Sequence, residues 1–230
     1  MQVSAVLDIQ CFQQSTDPKL IIKELTVLDT STAAAFHWLF KPPPGPSQSD
    51  TPTNIWLRKK LHGIKWYDGE VDYKDLKDLL CSATKAFDVL FAKGLEKCKF
   101  LEGIIERPVY NLEYFGCPAL KQLEDGLIKC HYHTDNPGYT CSLNQSHKLG
   151  EWIRKNQIKV DFYREEVRRA TYGDATSPYN LFSFSGFIRG LADSVICFYC
   201  KLSFNTQSGV CPYSFHKKTN PDCFMFQNCY

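Results

Sequence analysis

The sequence predicts an α/β chain of two domains: a mixed sheet with helices over residues 1–153, then a small zinc-binding module over residues 158–230. Three observations predict it. Three strand-like stretches open the chain with short connections, as in an antiparallel meander. Helical and strand-like stretches then alternate as far as Ile153, the order of a sheet covered by helices. Finally, Cys197, Cys200, His216 and Cys223 stand at spacings that let one tight turn and a later helix or loop grip a single ion.

The strands are Ser4 to Phe12, Leu20 to Leu28 and Ala34 to Phe40; the second is apolar apart from the charged pair Lys23-Glu24 and Thr26. Pro42-Pro43-Pro44-Gly45-Pro46 stops the sheet, because each proline fixes φ and lacks an amide donor. A small helix is expected over Asn54 to Leu61, leaving through His62-Gly63, where glycine tolerates the left-handed conformation. Asp72 to Ala86 reads as a helix capped by Asp72 or Asp75, with Leu76, Leu79, Leu80 and Ala83 on one face. Phe87 to Phe91 reads as a buried strand, Leu95 to Ile105 as a helix and Val109 to Leu112 as a short strand. Cys117-Pro118 is expected to open a short helix to Leu127, and Leu143 to Ile153 is amphipathic with Leu149, Trp152 and Ile153 at helical spacing. A stiff helical connection is expected near Lys155 to Lys159, with Val160, Tyr163, Val167 and Thr171 on a face that docks on the second module.

The totals narrow the function classes. A net charge of +2 over 230 residues favours neither nucleic acid nor a membrane surface. Met1 to Phe12 has no basic segment and Asp8 interrupts its apolar run, so it does not read as a secretory signal. No apolar run reaches the roughly 18 residues of a membrane span. Eleven cysteines without a signal peptide point to a reducing, intracellular compartment, cytoplasmic or nuclear. In such a compartment C-x2-C and C-x2-H spacings read as metal ligands before disulfides.

Two clusters follow from that rule. Cys197, Cys200, His216 and Cys223 make a full Cys3His shell with no open position for water. Cys130 and His133 have the spacing of a paired ligand turn, and Cys141 and Cys117 complete a second expected shell around the turn Thr134 to Gly138. Both are zinc sites on this reading, the second as a staple for an insertion with few apolar residues of its own.

The first cluster resembles the BIR domain of inhibitor-of-apoptosis proteins. The chain's C-x2-C-x15-H-x6-C is one residue shorter than the family spacing. Arg168-Arg169-Ala170-Thr171-Tyr172 resembles the family's R-x-x-T-F opening, Gly186-Phe187 its A-G-F turn, and Asp193 to Cys200 its D-x-V-x-C-F-x-C run. Pro212 to His216 stands where P-W-x-x-H is usual. The resemblance implies a small α+β fold and a protein-binding role. Family members that take a peptide with a free N-terminal alanine carry an acidic residue and two tryptophans where this chain has Val210, Thr206 and Thr219. An unpaired buried ammonium costs several kcal/mol, so that peptide is expected to bind poorly and partners to use the outer surface instead.

The element order before Ile153 is similar to the ribonuclease H-like fold of DnaQ-type exonucleases. That resemblance implies clustered carboxylates holding two metals. Its D-x-E falls on Asp8-Ile9-Gln10, its next aspartate on Lys97 beside Glu96, and its H-x4-D on Thr140 and Gln145. A lysine repels a metal where the chemistry needs a carboxylate. No catalytic residue is therefore assigned, and the expectation is a fold kept without its chemistry. The sequence thus predicts a non-enzymatic, inhibitor-of-apoptosis-like interaction protein, of a kind that suits a viral or mobile-element product. Its partner would be a caspase, a pro-apoptotic factor or an adaptor. The alternative is a nucleic-acid-binding or exonuclease-like protein acting through the N-terminal domain.

Overall fold

A computed structural model describes residues 3–14, 20–124, 128–135, 138–156, 165–173 and 179–227. Three strands, β1 (Ser4–Gln13), β2 (Leu20–Asp29) and β3 (Ala35–Leu39), form the expected meander, with β1–β2 and β2–β3 antiparallel. Two further strands, β4 (Val89–Ala92) and β5 (Val109–Asn111), run parallel to β1, giving the order β3-β2-β1-β4-β5. That order, with β2 antiparallel to its neighbours, is a mixed sheet, as the succession of strands and helices implied.

Alternation along β1 and β2 separates the two faces of this sheet. Ala5, Leu7, Ile9, Ile22, Leu25 and Val27 pack with Leu80, Cys98 and Leu101 of the helices α2 (Leu76–Thr84) and α3 (Leu95–Ile105). On the other face lie Val6, Asp8 and Gln10, paired across the strands with Leu28, Thr26 and Glu24. The long helix α4 (Ser142–Lys155) covers this second face; Leu149 and Ile153 pack with Val6, Val89 and Phe91, and Thr26 meets Ser142 at 2.7 Å. Polar residues on a buried strand face are costly unless they are partnered, and this face carries the chemistry described below.

The connections depart from expectation in detail. The first helix, α1 (Pro52–Trp56), starts earlier than expected because Thr51 caps it by accepting from Asn54 N and Pro52 sits in its first turn. It continues as a π-helix, Leu57–His62, and Gly63 ends it at φ 71° as expected. Asp72 does not cap α2 through its side chain; it pairs with Lys41 Nζ at 2.8 Å instead. In place of a helix from Cys117 to Leu127, the described residues there form only the 3-10 turn Leu120–Gln122.

The C-terminal module consists of α5 (Glu165–Ala170), α6 (Tyr179–Phe184), the antiparallel strands β6 (Phe187–Arg189), β7 (Ser194–Cys197) and β8 (Ser203–Asn205), and the helices α7 (Pro212–Thr219) and α8 (Phe224–Gln227). Its core joins Tyr172, Phe182, Phe187, Val195, Phe204 and Met225. Gly186 turns the chain into β6 at φ 83°, and a Cβ there would lie 3.1 Å from Met225 Cγ. The expected helical linker, with Val160 and Tyr163, lies outside the described residues. Val167 corrects the expected docking: it packs against the α4 face of the N-terminal sheet, not the core of its own module.

Candidate metal centre

The β6–β7–β8 sheet positions the first two ligands. Cys197 ends β7, and the chain then reverses with Lys201 at φ 62°, its amide donating to Cys197 O at 2.9 Å, so that Cys200 returns beside Cys197. His216 comes from the second turn of α7, and Cys223 from the turn before α8. Cys197 Sγ lies 3.8 Å from Cys223 Sγ, and Cys200 Sγ lies 3.3 Å from His216 Nε2. All four ligand atoms fall within 4.8 Å of one another. With metal–sulfur bonds of about 2.3 Å and metal–nitrogen bonds of about 2.0 Å, ligand atoms on one tetrahedron stand roughly 3.3–3.8 Å apart, so the set fits zinc.

The surroundings favour the ligand form of the histidine. His216 Nδ1 donates to Ser185 O at 3.0 Å, which leaves the Nε2 lone pair facing the thiols. Burial pulls its pKa below the ordinary histidine value, because an apolar pocket disfavours the charged ring. Phe187 and Phe226 enclose the ring at centroid distances of 4.9 and 4.8 Å. Phe204 is buried in the core, with Phe215 and Phe226 packed against that core.

The residues expected to form a second shell do not all meet. Cys130, His133 and Cys141 converge, fully buried, but Cys117 lies elsewhere. Its side chain packs with Phe91, Tyr110 and Leu112 under α4, because the short turn after Pro118 does not fold the chain back towards Cys130. Glu24 of β2 takes the fourth place. Its Oε1 lies 3.4 Å from Cys130 Sγ, 3.5 Å from Cys141 Sγ, 3.3 Å from His133 Nδ1 and 2.9 Å from His37 Nε2. Burial opposes ionisation of Glu24, yet hydrogen bonds from His133 and His37 hold its carboxyl well below the usual carboxylate range. Burial likewise disfavours the charged ring of His133, but hydrogen bonds to Cys141 and Glu24 push its pKa up to about 10. Both shifts have one cause: the pocket favours a positive charge against the Glu24 carboxylate, on the His133 ring or on an ion in its place.

The residues at the positions of the exonuclease motif also come together. Lys97 Nζ lies 2.6 Å from Asp8 Oδ1, and Gln10 Nε2 lies 3.4 Å from both Asp8 Oδ2 and Gln145 Oε1. Thr140 Oγ1 donates to Gln10 Oε1 at 3.4 Å. A cavity of about 340 Å³, lined by Gln10, Leu61, Glu96, Lys97 and Gln145, adjoins them. Asp8 is 1% exposed and its one close charged partner is the Lys97 ammonium group.

Comparison with known proteins bears on the C-terminal module. The family model described as "BIR: Inhibitor of Apoptosis domain" matches residues 170–227. No curated protein matches the chain. One solved structure, titled "3'-end specific recognition of histone mRNA stem-loop by 3'-exonuclease", is 12% identical, with a TM-score of 0.42, over 91% of this chain and 92% of that one. The Cys3His cluster sits inside the matched segment with the geometry of a closed metal shell, and residues 170–227 are a BIR domain.

Proposed function

We propose that this protein is an inhibitor-of-apoptosis-like interaction protein, which binds a cell-death factor through its zinc-stabilised BIR domain. The observation that carries the reading is a BIR segment with a complete Cys3His cluster, in which Cys197, His216 and Cys223 are buried and Cys200 half-buried. A closed shell leaves no position for substrate or water, so its metal holds shape and does no chemistry. The partner class is a caspase, a pro-apoptotic factor or an adaptor, and an origin in a virus or mobile element belongs to the same proposal, as does an intracellular location. No helix among the described residues is long and apolar enough to cross a membrane.

The contact surface in this proposal is the outside of the module. At the groove positions, Val210 is exposed with no charge to receive an ammonium group, and Thr206 is bonded to Asp193 O at 2.9 Å. Phe184 and Phe224 are 56% and 46% exposed, unusual for phenylalanine, and offer apolar contact area. The test is a cell-death assay with Cys200→Ala, which removes one ligand of the shell. Structural zinc supplies roughly 10 kcal/mol of folding energy in small modules, so the variant should lose protection while residues 1–156 keep their fold. Protection unchanged from wild type would refute the reading.

The second reading, nucleic-acid binding or cleavage by the N-terminal domain, draws on the ribonuclease H-like sheet order. It predicts magnesium- or manganese-dependent cleavage of DNA or RNA by the purified chain. The Lys97–Asp8 pair argues for no cleavage, and the same assay decides it.

A further inference from the structure

We propose that Glu24, Cys130, His133 and Cys141 bind one zinc ion in a closed shell inside the N-terminal domain, a site independent of the BIR metal. The four come from three separate parts of the fold. Glu24 stands on β2, Cys130 and His133 flank and close the 3-10 turn His131–His133, and Cys141 is the residue before α4. All four are buried, and their ligand atoms lie within 4.8 Å of one another.

The hydrogen-bond pattern calls for a cation at the centre. One carboxylate oxygen has two lone pairs, yet four groups approach Glu24 Oε1 within 3.5 Å: His37 Nε2, His133 Nδ1, Cys130 Sγ and Cys141 Sγ. Four groups cannot all donate to it. His133 Nε2 is committed to His62 O at 2.8 Å, so in the neutral ring Nδ1 carries a lone pair and points it at Glu24 Oε1 and at Cys130 Sγ, 3.0 Å away. Lone pairs facing one another across a buried gap require a proton or a metal between them. The separations of 3.3–3.5 Å from Oε1 are those of ligand atoms on one zinc tetrahedron. The BIR shell repeats the device, with the far ring nitrogen of its histidine given to a backbone carbonyl.

The shell's charge is also answered. Cys130 N donates to Cys141 Sγ at 3.4 Å, stabilising the thiolate. Ser142 N, in the first turn of α4, donates to the other oxygen of Glu24 at 2.9 Å, so a single carboxylate both ligates and caps the 14-residue helix. His37 Nε2 also meets Glu24 Oε1, at 2.9 Å, and helps fix that carboxylate. Two thiolates, a soft pair, with an imidazole and a carboxylate favour zinc over magnesium or calcium. The ion would pin the 128–141 segment to the sheet beside the Asp8–Gln10 pocket. Thr140 already reaches both sides, its amide donating to Leu61 O and its hydroxyl lying 3.4 Å from Gln10 Oε1.

The test is zinc stoichiometry of the full chain purified from zinc-supplemented medium. Wild type should carry two zinc ions per chain. Glu24→Gln and Cys141→Ser should each carry one, as should Cys200→Ala through the BIR site, while Cys117→Ser should keep two. One zinc in wild type that Cys200→Ala removes overturns the proposal without touching the BIR reading. Two zinc ions in Glu24→Gln, or one in Cys117→Ser, overturn the ligand set. Should a variant fail to fold, wild type titrated with Co2+ decides: tetrahedral thiolate absorption should saturate at two equivalents, and saturation at one rejects the site.

Discussion

Arg189 of the BIR domain places Nη2 2.6 Å from Oε1 of Glu102 on α3 of the N-terminal domain. The same nitrogen donates to Val109 O at 3.0 Å, and Nε donates to Thr171 O at 3.0 Å. The guanidinium lies 5.6 Å from the centre of the Tyr110 ring, and Tyr110 donates its hydroxyl proton to Arg189 O at 3.0 Å. Val167, Ile188 and Phe198 pack on the α4-side core beside these bonds, while the C-terminal module keeps a hydrophobic cluster of its own. Arginine's planar fork suits such a junction, because one group satisfies several acceptors at fixed angles.

The first prediction follows. In a double-mutant cycle of Arg189→Ala and Glu102→Gln, urea unfolding should give a coupling of about 0.5–3 kcal/mol, the range for contacting residues in one network. Arg189→Ala should also split unfolding into two transitions, the BIR domain melting first. A coupling near zero with a single transition would mean that the apolar contacts alone join the domains.

The second prediction concerns Lys97→Met. Asp8 is buried, and burial raises its pKa while Lys97 lowers it. Removing the ammonium leaves a buried carboxyl alone, which costs roughly 3 kcal/mol at pH 7, the low end for such pairs because Lys97 is partly exposed. A carboxyl whose folded pKa exceeds its unfolded value holds more protons when folded, so stability falls as pH rises between the two. The variant's deficit should therefore be full at neutral pH and shrink as pH approaches the unfolded value of about 4. Denaturant unfolding at a series of pH values reads this directly; a pH-independent deficit would show that Asp8 is not the group responsible.

Much of this architecture was legible because its signals are local. The meander, α3 and the BIR ligands follow from alternation, helical spacing and Cys/His intervals within a few turns of chain. Glu24 was not legible as a member of the second cluster, since 106 residues separate it from Cys130 and no spacing rule spans that gap. A signal was present nonetheless: Lys23-Glu24 is a charged pair inside an otherwise apolar strand, and both residues prove fully buried. A charge that a buried strand retains has a partner somewhere. Cys117 misled for the converse reason, because a cysteine close in sequence to a ligand set is as readily a core residue. The π-helix after α1 and the pairing of Asp72 with Lys41 depend on tertiary contacts that local propensity does not contain.

A third prediction tests the close approach of α4 to β2. Gly150 lies mid-helix, and a Cβ there would sit 2.6 Å from Leu28 Cδ2. Alanine favours a helix over glycine by about 1 kcal/mol. Overpacking a buried contact costs about 1–3 kcal/mol, and Leu28 is fully buried with little room to yield. The steric cost should win, so Gly150→Ala should lower stability. Stabilisation in chemical denaturation would show that the helix shifts freely on the sheet.

The last prediction rests on Lys23, the neighbour of Glu24 that points to the opposite face of the sheet. It is 0% exposed, and its Nζ donates to three backbone carbonyls: Phe40 O at 2.5 Å, Trp66 O at 2.8 Å and Asp68 O at 2.7 Å. An ammonium has three protons and no acceptor, so the three bonds satisfy it completely. They also tie the end of β3 and the segment around Trp66 to Asp68 onto β2, a region that otherwise has only short elements. Lys23→Met keeps the length and apolar stem but strands three carbonyls. Each buried unsatisfied group costs about 1–3 kcal/mol, so the loss should be at least about 3 kcal/mol, larger than for an ordinary surface lysine. Lys23→Arg should fall between, because its planar fork cannot aim at three carbonyls arranged around a point. Hydrogen exchange should locate the damage in residues 64–72 first, before α3 or the BIR domain is affected. If Lys23→Met unfolds at the same denaturant concentration as wild type, the carbonyls find water instead, and the lysine is not what fastens this loop to the sheet.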